Sequence, residues 1–210
     1  DVYKRQCFEL WWLRGLSDSS ERASISALAF KRDVLSLNES SWFDKEGFPV
    51  LAYASLYNST NVVSDLLEDI DQISNKYLRS KCLVARVPKK GLSNLGITGG
   101  ITALILAMGL ANTKIVSLLL EHGADPYECD VNGFDAVMIA SAFGRTDNIK
   151  FWLNIFPDWN LEKRNTVVGG VALANAVYSG RHHLELVKLL LHHGASFDHR
   201  ADTGGSILTN

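Results

Sequence analysis

Five histidines near the end of the sequence could bind a metal ion, because neutral imidazole is a common zinc ligand. They are His182, His183, His192, His193 and His199. A tetrahedral zinc site needs convergent ligands, and no cysteine lies near these histidines in the sequence. We therefore expect solvated or turn-bonded histidines and no metal site.

A glycine-bracketed stretch has the spacing of a phosphate-binding loop. Gly91 and Gly96 enclose four residues, but Ile97 and Thr98 follow where such a loop needs a lysine to meet the phosphates. Nucleotide binding is therefore not expected here.

Residue patterns of known catalytic sites do not occur. The sequence has no GxSxG or HExxH, and no cysteine is obviously paired with a histidine. We expect Cys129 to be a small residue that fills space in a half-buried position. We expect Asp125, Asp130 and Asp135 to form turns and helix caps. We expect a protein that is not an enzyme and needs no cofactor.

The composition is that of an ordinary folded chain. Of 210 residues, 47% are hydrophobic and 21% charged, and the net charge of -2 gives no overall attraction to nucleic acid or anionic lipid. The longest apolar stretch, Ile101 to Ala111, is far shorter than the roughly 20 residues that span a bilayer. Three widely spaced cysteines, Cys7, Cys82 and Cys129, favour a reducing, cytoplasmic or nuclear location.

The two ends of the sequence need separate treatment. Residues 1–6 (DVYKRQ) resemble the translation of a sequencing-library adaptor, so we expect them to be a scar with no part in the fold. Residues 201–210 resemble the opening of a further structural unit, which indicates a fragment of a longer protein.

A recurring phrase organises the remaining chain. A glycine is followed after a short interval by an aliphatic residue, and an alanine lies three positions beyond the first four of these aliphatics. The glycine-to-aliphatic stretches are Gly47 to Leu51, Gly100 to Leu104, Gly133 to Val137, Gly169 to Leu173 and Gly204 to Leu208, and the alanines are Ala54, Ala107, Ala140 and Ala176.

Each phrase is followed by a turn and a second apolar cluster with helical i, i+3, i+4 spacing. These clusters are Val62, Val63, Leu66, Leu67; Ile115, Val116, Leu118, Leu119; Ile149, Phe151, Trp152; and Leu186, Val187, Leu189, Leu190. We expect positive φ at Asn58, Gly144 and Gly180 between helices, and at Gly123 and Gly194 after the second helices. Each unit is thus predicted to be a pair of short amphipathic helices.

These units resemble the ankyrin repeat, whose pattern is DxxGxTPLHxAAxxGHxEIVxLLLxxGAD over about 33 residues. Leu104 and Val137 lie 33 positions apart, and the stretches 118–125, 130–133, 140–144 and 183–191 match the pattern closely. The Pro and His positions of the pattern hold other residues. The fold that the resemblance implies is an all-α, helix-turn-helix solenoid of the ankyrin type, with short hairpin loops between repeats.

The repeats are predicted to be interrupted once. The expected divisions are an N-terminal helical cap at 7–43, repeats at 44–70, 97–129, 130–162 and 163–200, a basic insertion loop at 71–96, and the start of a fifth repeat at 201–210. The insertion carries Lys76, Arg79, Lys81, Arg86, Lys89 and Lys90 with no acidic residue among them. We expect a solvated loop; binding of nucleic acid or anionic lipid through residues 76–90 is a weaker alternative.

The resemblance implies a scaffold or adaptor that binds another protein on the concave side, along hairpin tips and first helices. The alternative is the regulatory arm of a larger enzyme or channel. The concave side is expected to carry Phe48, Tyr53, Ile101, Leu106, Phe134, Ile139, Phe143 and Tyr178, and the tips Glu128, Asp130, Asn132, Lys163, Arg164 and Asn165.

Overall fold

The computed structural model describes residues 49–88, 99–178, 183–202 and 204–206. The predicted adaptor scar, the N-terminal cap, Phe48, the glycine-bracketed stretch at 91–96, Gly180 and His182 lie outside the described residues.

Helices make up the regular structure of these residues. They are α1 (Val50–Leu56), α2 (Thr60–Asp71), α3 (Lys76–Leu83), α4 (Ala103–Leu110), α5 (Thr113–Glu121), α6 (Ala136–Ala142), α7 (Thr146–Ile155), α8 (Ala172–Tyr178) and α9 (Leu184–His192). Over the described ranges there are no strands, and the all-α prediction is confirmed.

Polar side chains determine where several helices begin. Asn75, Thr102, Asn112 and Asp135 are N-caps whose side-chain oxygens accept hydrogen bonds from backbone N–H groups in the first turns of α3, α4, α5 and α6. Such a bond satisfies a donor that has no partner inside the helix.

Residues with positive φ end the helices as predicted. Asn58 (φ 55°) follows α1, and Gly144 (φ 65°) follows α6. Gly123 and Gly194 adopt φ 88° and 91° after α5 and α9. The chain therefore reverses direction within a few residues, so that consecutive helices lie side by side.

The helices form two parallel rows. The first helices α1, α4, α6 and α8 pack in that order, and the second helices α2, α5, α7 and α9 pack in a row behind them. Antiparallel bridges close the hairpins between Arg86 and Thr102, Cys129 and Asp135, and Arg200 and Ser206. This arrangement is the predicted helix-turn-helix solenoid.

Small residues allow the first helices to approach closely. Ala107, Ala140 and Ala176 are completely buried in successive first helices. At Gly109, α4 approaches α6 so closely that an added Cβ would lie 2.8 Å from Ile139 Cγ2. The aliphatic side chains of each helix therefore fill the space beside the next one.

The prediction of a loop at 71–96 is wrong for part of that segment. Residues 76–83 form α3, and Leu83 and Val87 are buried. Arg86 pairs with Thr102 across a hairpin that is longer than the one between Cys129 and Asp135. The added length in the repeat spacing thus includes a helix.

None of the described helices is both long enough and apolar enough to cross a membrane.

Candidate partner surface

Buried polar side chains build the hairpin tips. Asp130 Oδ1 accepts hydrogen bonds from the backbone N–H groups of Asn132 and Phe134, at 2.9 and 2.8 Å. Asn165 Oδ1 does the same for Val167 and Val168 in the next hairpin. Asp130 and Asn165 were expected to face a partner, but they are 7% and 3% exposed and instead hold the turns.

Neighbouring hairpins are hydrogen-bonded to one another through their backbones. The N–H of Thr166 donates to the carbonyl oxygen of Asn132, and the N–H of Asp202 donates to that of Val168, both at 2.9 Å. These bonds hold three successive tips in one ridge.

Charged residues reinforce the same ridge. Arg86 forms an ion pair with Glu128, and it also donates to the carbonyl oxygens of Gly100 and Cys129. Arg164 pairs with Asp202 in the next hairpin. Two of the predicted tip contacts, Glu128 and Arg164, are therefore engaged between hairpins, although their side chains stay partly accessible.

Lys163 lies close to Cys129 and Asp135, the two residues that close one of the hairpins. The Lys163 ammonium donates to Cys129 Sγ at 2.8 Å. Burial tends to lower the pKa of Lys163, but the neighbouring Cys129 sulfur and Asp135 carboxylate outweigh it, and the pKa is raised.

Burial also acts on Asp135, where it raises the pKa because the charged form loses its hydration. Hydrogen bonds from the Met138 backbone and the Trp159 indole, together with the positive charge of Lys163, lower the pKa without cancelling the effect of burial. Asp135 thus links the N-terminus of α6 to the loop after α7.

The hydrophobic residues expected on the concave side are mostly inside the stack. Ile101, Leu106, Phe134, Ile139 and Phe143 are each less than a tenth exposed. Ile139 and Phe143 fill the space against Gly109, so the close packing of α4 on α6 removes them from the surface. The candidate surface is narrower than the sequence predicted.

Two predicted aromatic residues stay half-buried. Tyr53 stacks on Tyr57 with ring centroids 6.4 Å apart. The Tyr178 hydroxyl donates to the carbonyl oxygen of Ser206 at 3.2 Å. The accessible residues of the ridge and its flank are thus Tyr53, Glu128, Asn132, Lys163, Arg164 and Tyr178, joined by Val131, an exposed apolar tip residue that the sequence reasoning missed.

The histidines are dispersed among separate contacts. His183 is buried against Gly144, and His199 Nε2 lies 2.7 Å from the Gly169 carbonyl oxygen. Within the described ranges, no three His, Cys, Asp or Glu side chains are grouped so that they could hold a metal ion.

The basic segment at 76–90 contributes fewer free cations than its sequence indicates. The Arg79 guanidinium donates to the carbonyl oxygens of Asp71, the last residue of α2, and of Ile73, just after it. Arg86 is held in the hairpin ridge. Lys76 and Lys81 are the exposed cations of α3, whereas Lys89 and Lys90 lie outside the described residues.

An aromatic cluster on the second row of helices was also missed. Tyr127, from the segment after α5, stacks on Trp159, from the loop after α7, with centroids 5.3 Å apart and planes 14° apart. Phe156 contacts both rings, and the buried Trp152 lies beneath Phe156 and Trp159. The signal in the sequence was the stretch Phe156-Pro157-Asp158-Trp159, which stands where the family pattern has Gly-Ala-Asp.

Comparison with known families identifies the central part of the chain. Residues 75–162 match the family model described as Ankyrin repeats, in three copies. The match begins at the N-cap of α3 and therefore includes the segment that was predicted to be an insertion. No curated protein matches the chain significantly.

Proposed function

The chain carries ankyrin repeats, and from this premise we propose that it is a non-catalytic scaffold or adaptor that binds a partner protein along its hairpin ridge. Ankyrin repeats are typically protein-interaction modules. The ridge comprises the described tip residues at 130–133, 165–170, 201–202 and 204–205 with their flanking residues. The proposal rests on this ridge and not on the first helices, whose side chains are largely buried.

The observation that carries the proposal is the direct hydrogen bonding of one hairpin to the next. The bonds from Thr166 to Asn132 and from Asp202 to Val168 give the ridge a defined shape before any partner arrives. A surface that is already ordered loses little conformational entropy on binding, which favours affinity. Val131, Asn132 and Arg164 offer apolar, amide and cationic groups on it.

We also propose an intracellular location, in the cytoplasm or nucleus, because three widely spaced cysteines do not make a complete disulfide framework. This location suits a module that binds other proteins in a reducing compartment.

Site-specific photo-crosslinking tests the use of the ridge. A photoreactive phenylalanine analogue is placed at Asn132, and in a matched variant at Lys150, an exposed residue of α7. We expect Asn132 to yield a discrete crosslinked protein that an excess of the unmodified chain displaces. Crosslinking only from Lys150, or to the same proteins equally from both positions, would contradict the proposal.

Binding of the crosslinked partner is then measured with Val131→Glu and with Lys150→Glu as the control. Introducing a charge at an apolar tip should weaken binding about tenfold or more if the tip is buried in the complex. The Lys150 substitution should leave the affinity within twofold. Equal effects of the two substitutions would refute a ridge interface.

A further inference from the structure

The aromatic cluster of Tyr127, Phe156 and Trp159 is a partly exposed feature that the ridge does not use. Tyr127 is 68% exposed, and Ile155, which precedes Phe156 in the chain, is 46% exposed. Its three residues come from the segments after α5 and α7, above the buried Trp152 of α7, so the cluster spans two repeats. Aromatic residues with one free face are frequent centres of protein interfaces.

The ring stack is fixed in place before any ligand binds. The Trp159 indole N–H donates to the buried Asp135 carboxylate, and Trp152 and Phe156 support its ring from below. Tyr127 covers the other side of Trp159 in a nearly parallel arrangement. One ring face of Tyr127 is left toward solvent on a rigid support.

The charge around the stack is acidic. Asp125 and Asp158 are exposed and adjoin Tyr127 and Trp159 in the chain, and Asp125 Oδ1 accepts from the Tyr127 N–H at 2.9 Å. Neither carboxylate forms an ion pair with a described residue. The stretches 118–128 and 154–162, which contain the three rings and both carboxylates, have no lysine or arginine, although Lys150 lies earlier on α7. The nearby Lys163 is engaged with Cys129 and Asp135.

We propose that this stack is a second docking surface, which takes an arginine side chain from an extended segment of a partner protein. A guanidinium is planar and weakly hydrated, so it stacks on an aromatic face while its N–H groups reach neighbouring carboxylates. Tyr127 supplies the face, and Asp125 and Asp158 supply the carboxylates. The acidic surroundings repel nucleic acid, whose phosphates carry the same sign of charge.

Fluorescence anisotropy with a labelled, end-blocked peptide of alternating glycine and arginine tests this surface. Matched peptides replace arginine by lysine or by citrulline, which is neutral and has nearly the same shape. We expect saturable binding of the arginine peptide, with lysine several-fold weaker and citrulline at least tenfold weaker. Absence of saturable arginine-peptide binding at millimolar concentrations, or equal binding of any two of the three peptides, would overturn the proposal.

Variants locate the binding on the protein. Tyr127→Ala should lower the affinity for the arginine peptide about tenfold, and Tyr127→Phe should preserve it because the ring face remains. Tyr77→Ala is the matched control, since Tyr77 is a similarly exposed tyrosine on α3. A loss of binding in Tyr77→Ala as large as that in Tyr127→Ala, or unchanged binding in Tyr127→Ala, would overturn the assignment.

The carboxylates are tested by the double variant Asp125→Asn, Asp158→Asn. Asparagine at 125 keeps an oxygen that can accept from the Tyr127 N–H, so the local turn is retained. We expect weaker arginine-peptide binding and a smaller dependence of affinity on salt. Unchanged affinity and salt dependence would contradict the role of these groups. Binding at the hairpin ridge is a separate property, and its crosslinking result is independent of this one.

Discussion

The carboxyl group of Asp135 combines three tasks in one buried residue. It caps α6 through the Met138 N–H, accepts from the Trp159 indole, and lies near the Lys163 ammonium. These contacts only partly compensate for burial, which leaves the pKa above its usual value. A buried carboxylate of this kind holds its hydrogen-bonding partners in place, but its burial lowers the free energy of unfolding.

The raised pKa predicts how stability at this residue depends on pH. Because Asp135 binds a proton more tightly in the folded state, it favours folding below the unfolded pKa of 3.8, and this contribution is lost as pH rises through the folded pKa. Asp135→Asn keeps a capping oxygen without the charge. The free energy of unfolding of Asp135→Asn, taken as a difference from wild type, should therefore increase as the pH rises from below 3.8 to 7.

Asp135→Ala separates the cap from the charge. Loss of the N-cap bond should cost about 1 kcal/mol in the free energy of unfolding, whereas the asparagine variant keeps this bond. Urea unfolding at several pH values measures both variants. Parallel pH curves for wild type and Asp135→Asn would refute the assigned effect of burial.

Two glycines with similar backbone conformations predict different costs of substitution. Gly123 (φ 88°) has open space around it, whereas a Cβ at Gly144 (φ 65°) would lie 1.8 Å from His183 Cε1. Gly123→Ala should cost about 1–2 kcal/mol for the left-handed backbone. Gly144→Ala should cost about 1–3 kcal/mol more, because the His183 ring must move.

A double-mutant cycle with His183→Ala isolates the steric part of that cost. In the His183→Ala background, the free-energy cost of Gly144→Ala should fall to that of Gly123→Ala. A cost that is unchanged by removing the histidine ring would show that backbone conformation alone is responsible.

At the scale of helices, a buried asparagine makes polar contacts between repeats. Asn148 of α7 is buried, and its Nδ2 lies within hydrogen-bonding distance of the carbonyl oxygens of Ala107, Met108 and Ala111 near the end of α4. Thr113 donates to Asn148 Oδ1, and Arg145 also donates to the Ala111 carbonyl oxygen. One asparagine thus brings a donor to three carbonyl oxygens at the end of α4, of which Ala107 also accepts from the Ala111 N–H.

Asn148→Ala should therefore be costly. We expect a loss of about 1–3 kcal/mol in the free energy of unfolding, because the carbonyl oxygen of Met108 loses the donor that Asn148 supplies. Asn154→Ala on the same helix is the control, since Asn154 is exposed and its loss should change stability by less than about 0.5 kcal/mol. Denaturant unfolding compares them, and equal losses would contradict the bridging role.

Equivalent positions in the first helices differ in burial according to whether another first helix packs beside them. Met108 and Ser141 occupy equivalent positions in α4 and α6 and are fully buried, whereas Val177 at that position in α8 is 37% exposed. α4 and α6 are each followed by another first helix, and no described helix follows α8 in the row. Burial at this position is thus a property of the interface between repeats.

For the whole molecule, stability should be the sum of terms from helix pairs and from the interfaces between them. Leu119 of α5 and Leu190 of α9 are both fully buried, and each substitution by alanine should cost about 2–5 kcal/mol. Leu119 lies in a helix with neighbours on both sides, α2 and α7, whereas Leu190 lies in α9, which packs on α7 and α8.

Hydrogen exchange distinguishes the two substitutions by where protection is lost. Leu190→Ala should accelerate exchange mainly in α8 and α9, and Leu119→Ala should accelerate it in the helices on both sides of α5. Uniform acceleration along the whole chain in both variants would indicate a single cooperative unit and contradict this prediction.

Local pattern was enough to predict the helix pairs and their turns. Apolar residues at helical spacing, such as Ile115 with Leu119 and Leu186 with Leu190, marked the buried faces, and Asn58 and Gly144 marked the reversals. The boundaries of the individual repeats stay predictions. The α3 helix was missed because KYLRSKCL lacks the repeat pattern, although Asn75 is a recognisable N-cap before it.

The sequence by itself determined that short amphipathic helices alternate with glycine-containing turns, because the pattern of apolar side chains within one helix is a local property. Only the tertiary structure decided which of the other residues are accessible. Phe134, Ile139 and Phe143 are buried by helices and hairpins distant in sequence, Asp130 and Asn165 turn inward to hold the tips, and Tyr127 meets Trp159 across two repeats. Exposure depends on which surfaces of neighbouring units meet, and that information does not reside in any single unit.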